Sequence, residues 1–361
     1  RNGYCLDIIF GLKALIYLTN GRKANQGDLV VATTSENIED VGKALVWLGK
    51  DELGIGGHSC ILKTDVDTKY LSYVFETVHF QKQKEKLVVG TKVIELYPKN
   101  LAKIVVPVPP LIVQKEIVKI LDKFSEYVTE LTAELTLRQK QYSFYRDKLL
   151  SFEGEVYEVE WKTLEEICDV RDGTHDSPTK QNYGNYLITS KNVKQGSVTF
   201  ENAYYISPED FEAINKRSKV DVDDLLFTMI GTVGEVAHVV EEPDYAIKNV
   251  GLIKTSNRVL SRYLFHYLQS SNAKQYIEEN KSKGSQVFLA LGKIRKFPIP
   301  YVSHNIQSRI VQVLDNFDTV CNDLNIGLPK EIEQRQKQYE FIRDKLLTFT
   351  AEGVYAKSRV E

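Results

Sequence analysis

The chain has 361 residues, 42% of them hydrophobic and 27% charged, which is room for two domains with cores of their own and the composition of an ordinary globular protein. No apolar run approaches the roughly eighteen residues that cross a bilayer, so no membrane role is expected. A net charge of −2 and a pI near 6.4 do not fit a nucleic-acid binder working by bulk positive charge; any such contact must be local or shared with partners.

The chain begins at Arg1, and its first apolar stretch, residues 12–18, is interrupted by Lys13 and lacks the layout of a secretory signal. Residues 28–33 (DLVVAT) predict a strand and residues 69–86 an amphipathic helix. After Pro107-Val-Pro109 a long helix is expected. Its apolar positions Ile117, Leu121, Phe124, Val128, Leu131, Leu135, Tyr142, Tyr145, Leu149 and Phe152 fall four and three apart, with Arg138 in the one gap. That is a heptad seam, which needs a partner helix. Further on, residues 224–230 (DLLFTMI) and 235–240 (EVAHVV) predict strands, and residues 261–281 a helix. A second seam follows Pro298-Ile-Pro300. It runs through Ile310, Leu314, Phe317, Cys321 and Leu324, breaks or kinks at Gly327-Leu-Pro329, and resumes at Ile332, Arg335, Tyr339, Ile342, Leu346 and Phe349.

The two halves are one unit written twice, at a spacing of roughly 190 to 197 residues. Arg138-Gln-Lys-Gln-Tyr142 and the following Tyr145-Arg-Asp-Lys-Leu-Leu match Arg335-Gln-Lys-Gln-Tyr339 and Ile342-Arg-Asp-Lys-Leu-Leu; residues 114–124 (QKEIVKILDKF) match 307–317 (QSRIVQVLDNF). Gly90-Thr-Lys-Val93 matches Gly284-Ser-Gln-Val287, and Tyr70-Leu71 matches Tyr263-Leu264. The match fades toward the front, where copy one has only residues 1–27 against the sixty or so that precede Asp223 in copy two, so a front portion of copy one reads as missing or altered. The economical architecture is α+β: two globular domains separated by two long antiparallel coiled-coil helices, related by an approximate two-fold axis. Leu121, Phe124, Val128, Leu131 and Leu135 are expected to pair with Leu314, Phe317, Leu324, Ile342 and Leu346.

Signatures of catalysis are lacking. There is no GxxxxGK[ST] loop for ATP, no HExxH, no Asn-Pro-Pro-aromatic or Pro-Cys methyltransferase motif. Cys5, Cys60, Cys168 and Cys321 stand far apart without a CxxC pair, which fits reduced cytoplasmic thiols and neither a zinc site nor a disulfide framework. Positive charge is local. Residues 281–296 carry Lys281, Lys283, Lys293, Arg295 and Lys296 with no acid, around Ser285 and Gln286. At the same place in copy one stand Lys82, Lys84, Lys86, Thr91 and Lys92, against Glu85 alone. Lysines beside a Gly-Thr or Gly-Ser turn suit phosphates. Arg171, Thr174, His175, Ser190, Lys191 and Asn192 in copy two, and Thr33, Thr34, Ser35 and Asn37 in copy one, are residue types that read base edges, though the same types also make turns and caps.

Two variable modules, each ending in Pro-x-Pro and followed by Gln-x-x-Ile-Val-x-x-Leu-Asp-x-Phe and Arg-Gln-Lys-Gln-Tyr motifs, resemble the specificity subunits of type I restriction-modification systems. Trp161-Lys-Thr-Leu-Glu-Glu-Ile167, Asp172-Gly-Thr-His175 and Ile188-Thr-Ser-Lys-Asn192 likewise resemble a target-recognition domain of that family. The resemblance implies a cytoplasmic, non-catalytic subunit that binds double-stranded DNA, each module reading one half of a split asymmetric site while the helices set the gap. It implies two modification (methyltransferase) subunits docked on the helices, and restriction/translocase subunits in the full complex. No cofactor is expected in this chain; S-adenosylmethionine, ATP and Mg belong to those partners. The implied layout is target-recognition domain 1 over residues 1–110, a spacer helix over 111–153, target-recognition domain 2 over 154–302, a second spacer helix over 303–350 and a tail over 351–361. A coiled-coil adaptor that binds only proteins is the competing reading.

Overall fold

The computed structural model describes residues 9–11, 17–19, 23–152, 158–194, 196–255 and 257–358, with side chains from 23 to 348. Cys5, most of the 12–18 stretch, Phe349 as a seam side chain, and much of the front of copy one lie outside the described residues. The fold is α+β, with two domains linked by long helices. It divides into two units: Arg1–Thr132 with Glu331–Glu361, and Ala133–Lys330.

In the first unit the central sheet orders its strands β2 (Tyr17–Thr19), β8 (Ser59–Lys63), β4 (Leu29–Ala32) and β6 (Ala44–Val46), all antiparallel. Alternation decides which side chain goes where. Leu29, Val31 and Leu62 enter the main core with α1 (Thr68–Glu76) and α2 (Val78–Glu85), while Val30 and Ile61 join Ala24 in a small cluster on the other face. The single helix expected over 69–86 is broken at Thr77, whose hydroxyl accepts the Phe80 N–H and starts α2. The short α3 (Pro98–Leu101) precedes a two-stranded pair, β1 (Ile9–Gly11) with β10 (Val105–Pro107), and β10 leads directly into α4 (Leu111–Ser151).

The second unit repeats this plan. Its sheet runs β12 (Asp169–Asp172), β20 (Val250–Lys254), β17 (Leu225–Thr228), β18 (Val236–His238), and β11 (Glu160–Thr163) pairs with β21 (Pro298–Tyr301) as β1 does with β10. Every residue of β17 is buried because both sheet faces are covered. Leu225 and Phe227 pack against α7 (Arg258–Leu268) and α8 (Ser271–Asn280), and Leu226 faces a second core with Ile188, Val193 and Ile247. That second core belongs to a sheet ordered β16 (Tyr204–Ile206), β13 (Asn185–Thr189), β19 (Tyr245–Lys248), flanked by α6 (Pro208–Ser218). Here too the expected single helix, over 261–281, is two, with Ser270 capping the second.

The recurring motifs lock body to helix. Tyr70 donates its hydroxyl to the Pro107 carbonyl at 2.9 Å, and Tyr263 does the same to Pro300. Gln114 and Gln307, both buried, donate to the carbonyls of Pro109 and Val302, fixing the chain where each helix begins. Asp122 accepts from Lys69 Nζ at 2.7 Å and Tyr73 Oη at 2.6 Å. Asp315 of α10 (His304–Asn322) holds Arg262 and His266 in the equivalent places. Buried polar atoms need such partners, since an unmatched one costs about 1–3 kcal/mol. The terminal Arg-Gln-Lys-Gln-Tyr motifs complete both locks. Tyr142 Oη lies 2.8 Å from His266 Nδ1 in the second unit; in the first, Tyr339 of α11 (Leu328–Ser358) donates to Glu76 at 3.0 Å, and Arg343 joins it at 3.1 Å.

Within each unit two helical segments run in opposite directions. In the second, Tyr142 and Tyr145 stack on Phe317 while Leu149 and Phe152 lie beside Ile306 and Ile310. In the first, Tyr127 meets Glu331 and lies under Arg335, and Leu121, Phe124, Ile342 and Leu346 share one core. Leu131 is buried, Val128 half-buried, and Leu135 and Leu314 pack in the second unit's core. Leu324 is a correction. It is 68% exposed and lies past the end of α10, because Asp323 turns the chain by accepting the Asn325 and Ile326 N–H groups. The break expected at 327–329 falls slightly earlier: α10 ends at Asn322 and α11 begins at Leu328, so Gly327 lies in the gap while Leu328 and Pro329 open α11. Cys60 and Cys321 are buried and Cys168 half-buried, all free thiols, and burial pushes the Cys60 thiol up to about 11. Among the described residues no helix is long and apolar enough to cross a membrane.

Candidate nucleic-acid interface

The second unit carries an open cleft of about 590 Å³ where its two sheets meet. Its walls come from four places in the sequence. The 3-10 turn Ser190–Asn192 after β13 supplies Ser190, Lys191 and Asn192; the β19–β20 junction supplies Lys248 and Asn249. Gly231 and Thr232 come from the β17–β18 turn, and Gln286 from the loop after α8. The last two are brought together by a bridge between Ile230 and Phe288 and by the Gly231 N–H donating to the Val287 carbonyl at 3.0 Å. Lys180 and Asn202 complete the rim, with the Lys180 ammonium 5.0 Å from the Tyr204 ring centre.

The charged side chains lining the cleft are Lys180, Lys191 and Lys248, with no carboxylate among them. Hydroxyls of Thr189, Ser190 and Thr232 and amides of Asn202, Asn249 and Gln286 fill the spaces between. Lysines neutralise phosphates, and amides and hydroxyls meet base edges or sugar oxygens. Among the described residues no group of His, Cys, Asp and Glu is placed to hold a metal ion.

The cleft thus unites Ser190, Lys191, Asn192 and Gln286, candidates from distant parts of the module's sequence. His175 joins them through its 2.7 Å hydrogen bond to Asn249, and Thr174 accepts the Asn249 N–H through its carbonyl. Lys283 and Ser285 are exposed on the Gln286 loop, whereas Lys281 is paired with Glu278 at 2.5 Å. Two candidates are corrected. Asn192 is 2% exposed, and its amide is spent on Thr189, Thr199 and Glu201, so it builds the turn rather than facing a ligand. Arg171 is held by Asp169 and the Arg217 carbonyl. Lys180, Asn202, Thr232, Lys248 and Asn249 were not singled out from sequence, where nothing separates them from ordinary loop residues.

In the first unit β5 (Thr34–Ser35) pairs with β9 (Ile94–Glu95), placing the 33–37 loop against the 89–95 loop. This is the same juxtaposition as Ile230 with Phe288. The Thr34 hydroxyl lies 3.3 Å from His58 Nδ1, the Thr33 N–H donates to the His58 carbonyl, and Asn37 is exposed with its Oδ1 capping Asp40. Lys86, Thr91 and Lys92 are exposed; Ser35 is half-buried. Gly90, at φ +102°, makes the turn, and a Cβ there would meet the Val93 carbonyl oxygen at 2.0 Å. Lys84 is a correction. It is 1% exposed, with its ammonium donating to the Ile38 carbonyl at 2.7 Å, and burial pulls its pKa down, so it serves the core.

Residues 46–138 and 158–334 match the family described as the type I restriction modification DNA specificity domain. A specificity subunit of an Escherichia coli type I restriction enzyme is 35% identical over 67% of this chain, and the match spans 61% of that relative's length. A putative type I specificity subunit of Haemophilus influenzae is 31% identical over 72% of this chain and 68% of its own. The crystal structure of the type I restriction-modification S subunit from M. genitalium covers 96% of this chain and 97% of its own at 16% identity, with a TM-score of 0.55. A chain from a structural study of assembly and conformational transition in the type I system covers 90% of this chain and 82% of its own at 16% identity, with a TM-score of 0.56, so the fold is shared as well. On its sequence, this chain belongs to the type I restriction-modification DNA specificity family.

Proposed function

We propose that this chain is the DNA-reading subunit of a type I restriction-modification complex. Each unit reads one half of a bipartite asymmetric site, and the helices set the gap and dock two modification subunits, with restriction/translocase subunits joining in the full complex. The observation that carries the reading is the acid-free cleft of the second unit. It offers three lysines for phosphates and a ring of amides and hydroxyls for base edges. Family membership supports it, and so does the first unit's repetition of the same loop pairing. The near-neutral net charge fits a protein that shares its duplex with partners.

The test is a module exchange. Replacing residues 158–302 by the corresponding module of another family member, and mapping methylated sites in host DNA, is expected to change one half of the motif and leave the other unchanged. An unaltered motif overturns the reading. Binding of duplex DNA by the reconstituted assembly is expected to fall steeply with salt, because each neutralised phosphate releases counterions; a protein-only adaptor shows no such binding.

A further inference from the structure

We propose that Asn249 is a specificity-determining residue of the second unit, its amide aimed by a relay of Arg217, Asp172 and His175; this rests on the DNA-reading function proposed above. Asn249 is the single residue between β19 and β20, two strands that belong to different sheets. Crossing from one sheet to the other in one residue needs a left-handed backbone, and Asn249 has φ +53°. Glycine meets that need without strain, whereas asparagine tolerates it at some cost. An asparagine there brings an amide where glycine would bring none, and the residue lines the cleft.

Its backbone also organises the site. The Asn249 N–H donates to the Thr174 carbonyl at 3.1 Å, and its carbonyl accepts the Ser190 hydroxyl at 3.1 Å, so two of the candidate reading loops hang on this residue. The side-chain oxygen lies 2.7 Å from His175 Nδ1, and His175 Nε2 lies 3.0 Å from Asp172 Oδ2. Asp172 is buried, and its other oxygen is bonded to Arg217. The amide is thereby fixed in orientation. Its nitrogen makes no hydrogen bond among the described residues. With one end of the amide engaged by His175, only the other end is turned to the cleft. It therefore makes a single-point contact with a base edge and cannot make the paired donor-and-acceptor contact by which asparagine reads adenine.

The experiment maps methylated motifs by sequencing DNA from cells that express the full chain with its modification partners. Asn249→Gly keeps the left-handed turn and removes only the amide. It is expected to melt no lower than the parent and to relax one base pair in the second unit's half-site, discrimination there falling by about ten-fold or more. His175→Ala, at an exposed position, is expected to relax the same base pair more weakly. Asn249→Asp keeps the turn but leaves only acceptors and a charge, and is expected to change the base preferred at that pair and at no other. An unchanged motif with Asn249→Gly, or relaxation at different positions by Asn249→Gly and His175→Ala, overturns the inference. Absence of any sequence-specific methylation with the parent chain overturns the DNA-reading function itself, and this proposal with it.

Discussion

Replacing Tyr142 by phenylalanine removes one oxygen from the second unit's lock and keeps the ring's packing. The ring remains, with its centre 6.3 Å from Phe317 and nearly parallel to it. What is lost is the partner of His266 Nδ1 at 2.8 Å. His266 is fully buried and its Nε2 is already committed to Asp315 at 2.7 Å, so the change leaves Nδ1 without its partner in the core. An unmatched buried nitrogen costs about 1–3 kcal/mol. The same change at the equivalent Tyr339 should cost only about 0.5 kcal/mol, because its acceptor, Glu76, has a side chain 51% exposed and keeps its bond from Arg343. Hydrogen exchange under mild urea separates the two units. Amides of α7 in Tyr142→Phe should lose protection about ten-fold or more, while amides of α1 in Tyr339→Phe barely change. Equal effects in the two variants, or a silent Tyr142→Phe, would refute the reasoning. The lock also carries a pH signature. Burial, helped by the neighbouring Arg262, pulls the His266 pKa below its ordinary 6.5, against the opposing bond from Asp315. The unfolded chain therefore takes up a proton first, so the second unit's stability is intact above about pH 6.5 and declines as the pH falls below it. His238, also buried in that unit, is shifted in the same direction. The first unit has Tyr73 where the second has His266, and its urea midpoint should be less sensitive between pH 7.5 and 5.5.

Three further outcomes are expected. Lys191→Ala should lower the slope of log affinity against log salt by about 0.9 and leave the methylated motif unaltered, as measured by duplex titrations of the assembled complex at several salt concentrations. Gly90→Ala should destabilise the first unit by about 1–3 kcal/mol, since its Cβ collides with the Val93 carbonyl at a positive φ, whereas Gly284→Ala, with nothing within 4 Å, should be nearly neutral; urea unfolding of the two variants compares them. A four-residue helical insertion after Leu135 should lengthen the helix by about 6 Å, and the unread gap in the methylated motif should grow; an unchanged gap would show that this helix does not set the distance.

The architecture was legible because repetition and periodicity are properties of the sequence itself. The heptad positions of α4 and the break before α11 follow from apolar spacing and from Gly327 and Pro329, and the duplicated body follows from motifs repeated at matching places. Leu324 was misjudged because periodicity counts residues without knowing where a side chain such as Asp323 ends the helix. The split of each body helix at Thr77 and Ser270 was hidden for the same reason, since a capping hydroxyl resembles any surface serine or threonine until the backbone turns beneath it.

The candidate site was only half legible. The Gly-Thr and Gly-Ser loops were found because they recur, but residue type alone cannot separate Lys84, drawn into the core by the Ile38 carbonyl, from the exposed Lys86 two residues later. By itself the sequence determined the duplication, the helices that pair and the family, since each is written in local spacing and repeated words. Which amides and lysines share a cleft was decided by tertiary structure alone. Asn249, Lys191 and Gln286 come together only where two sheets meet, and that convergence depends on strand order and register, which distant hydrogen bonds fix.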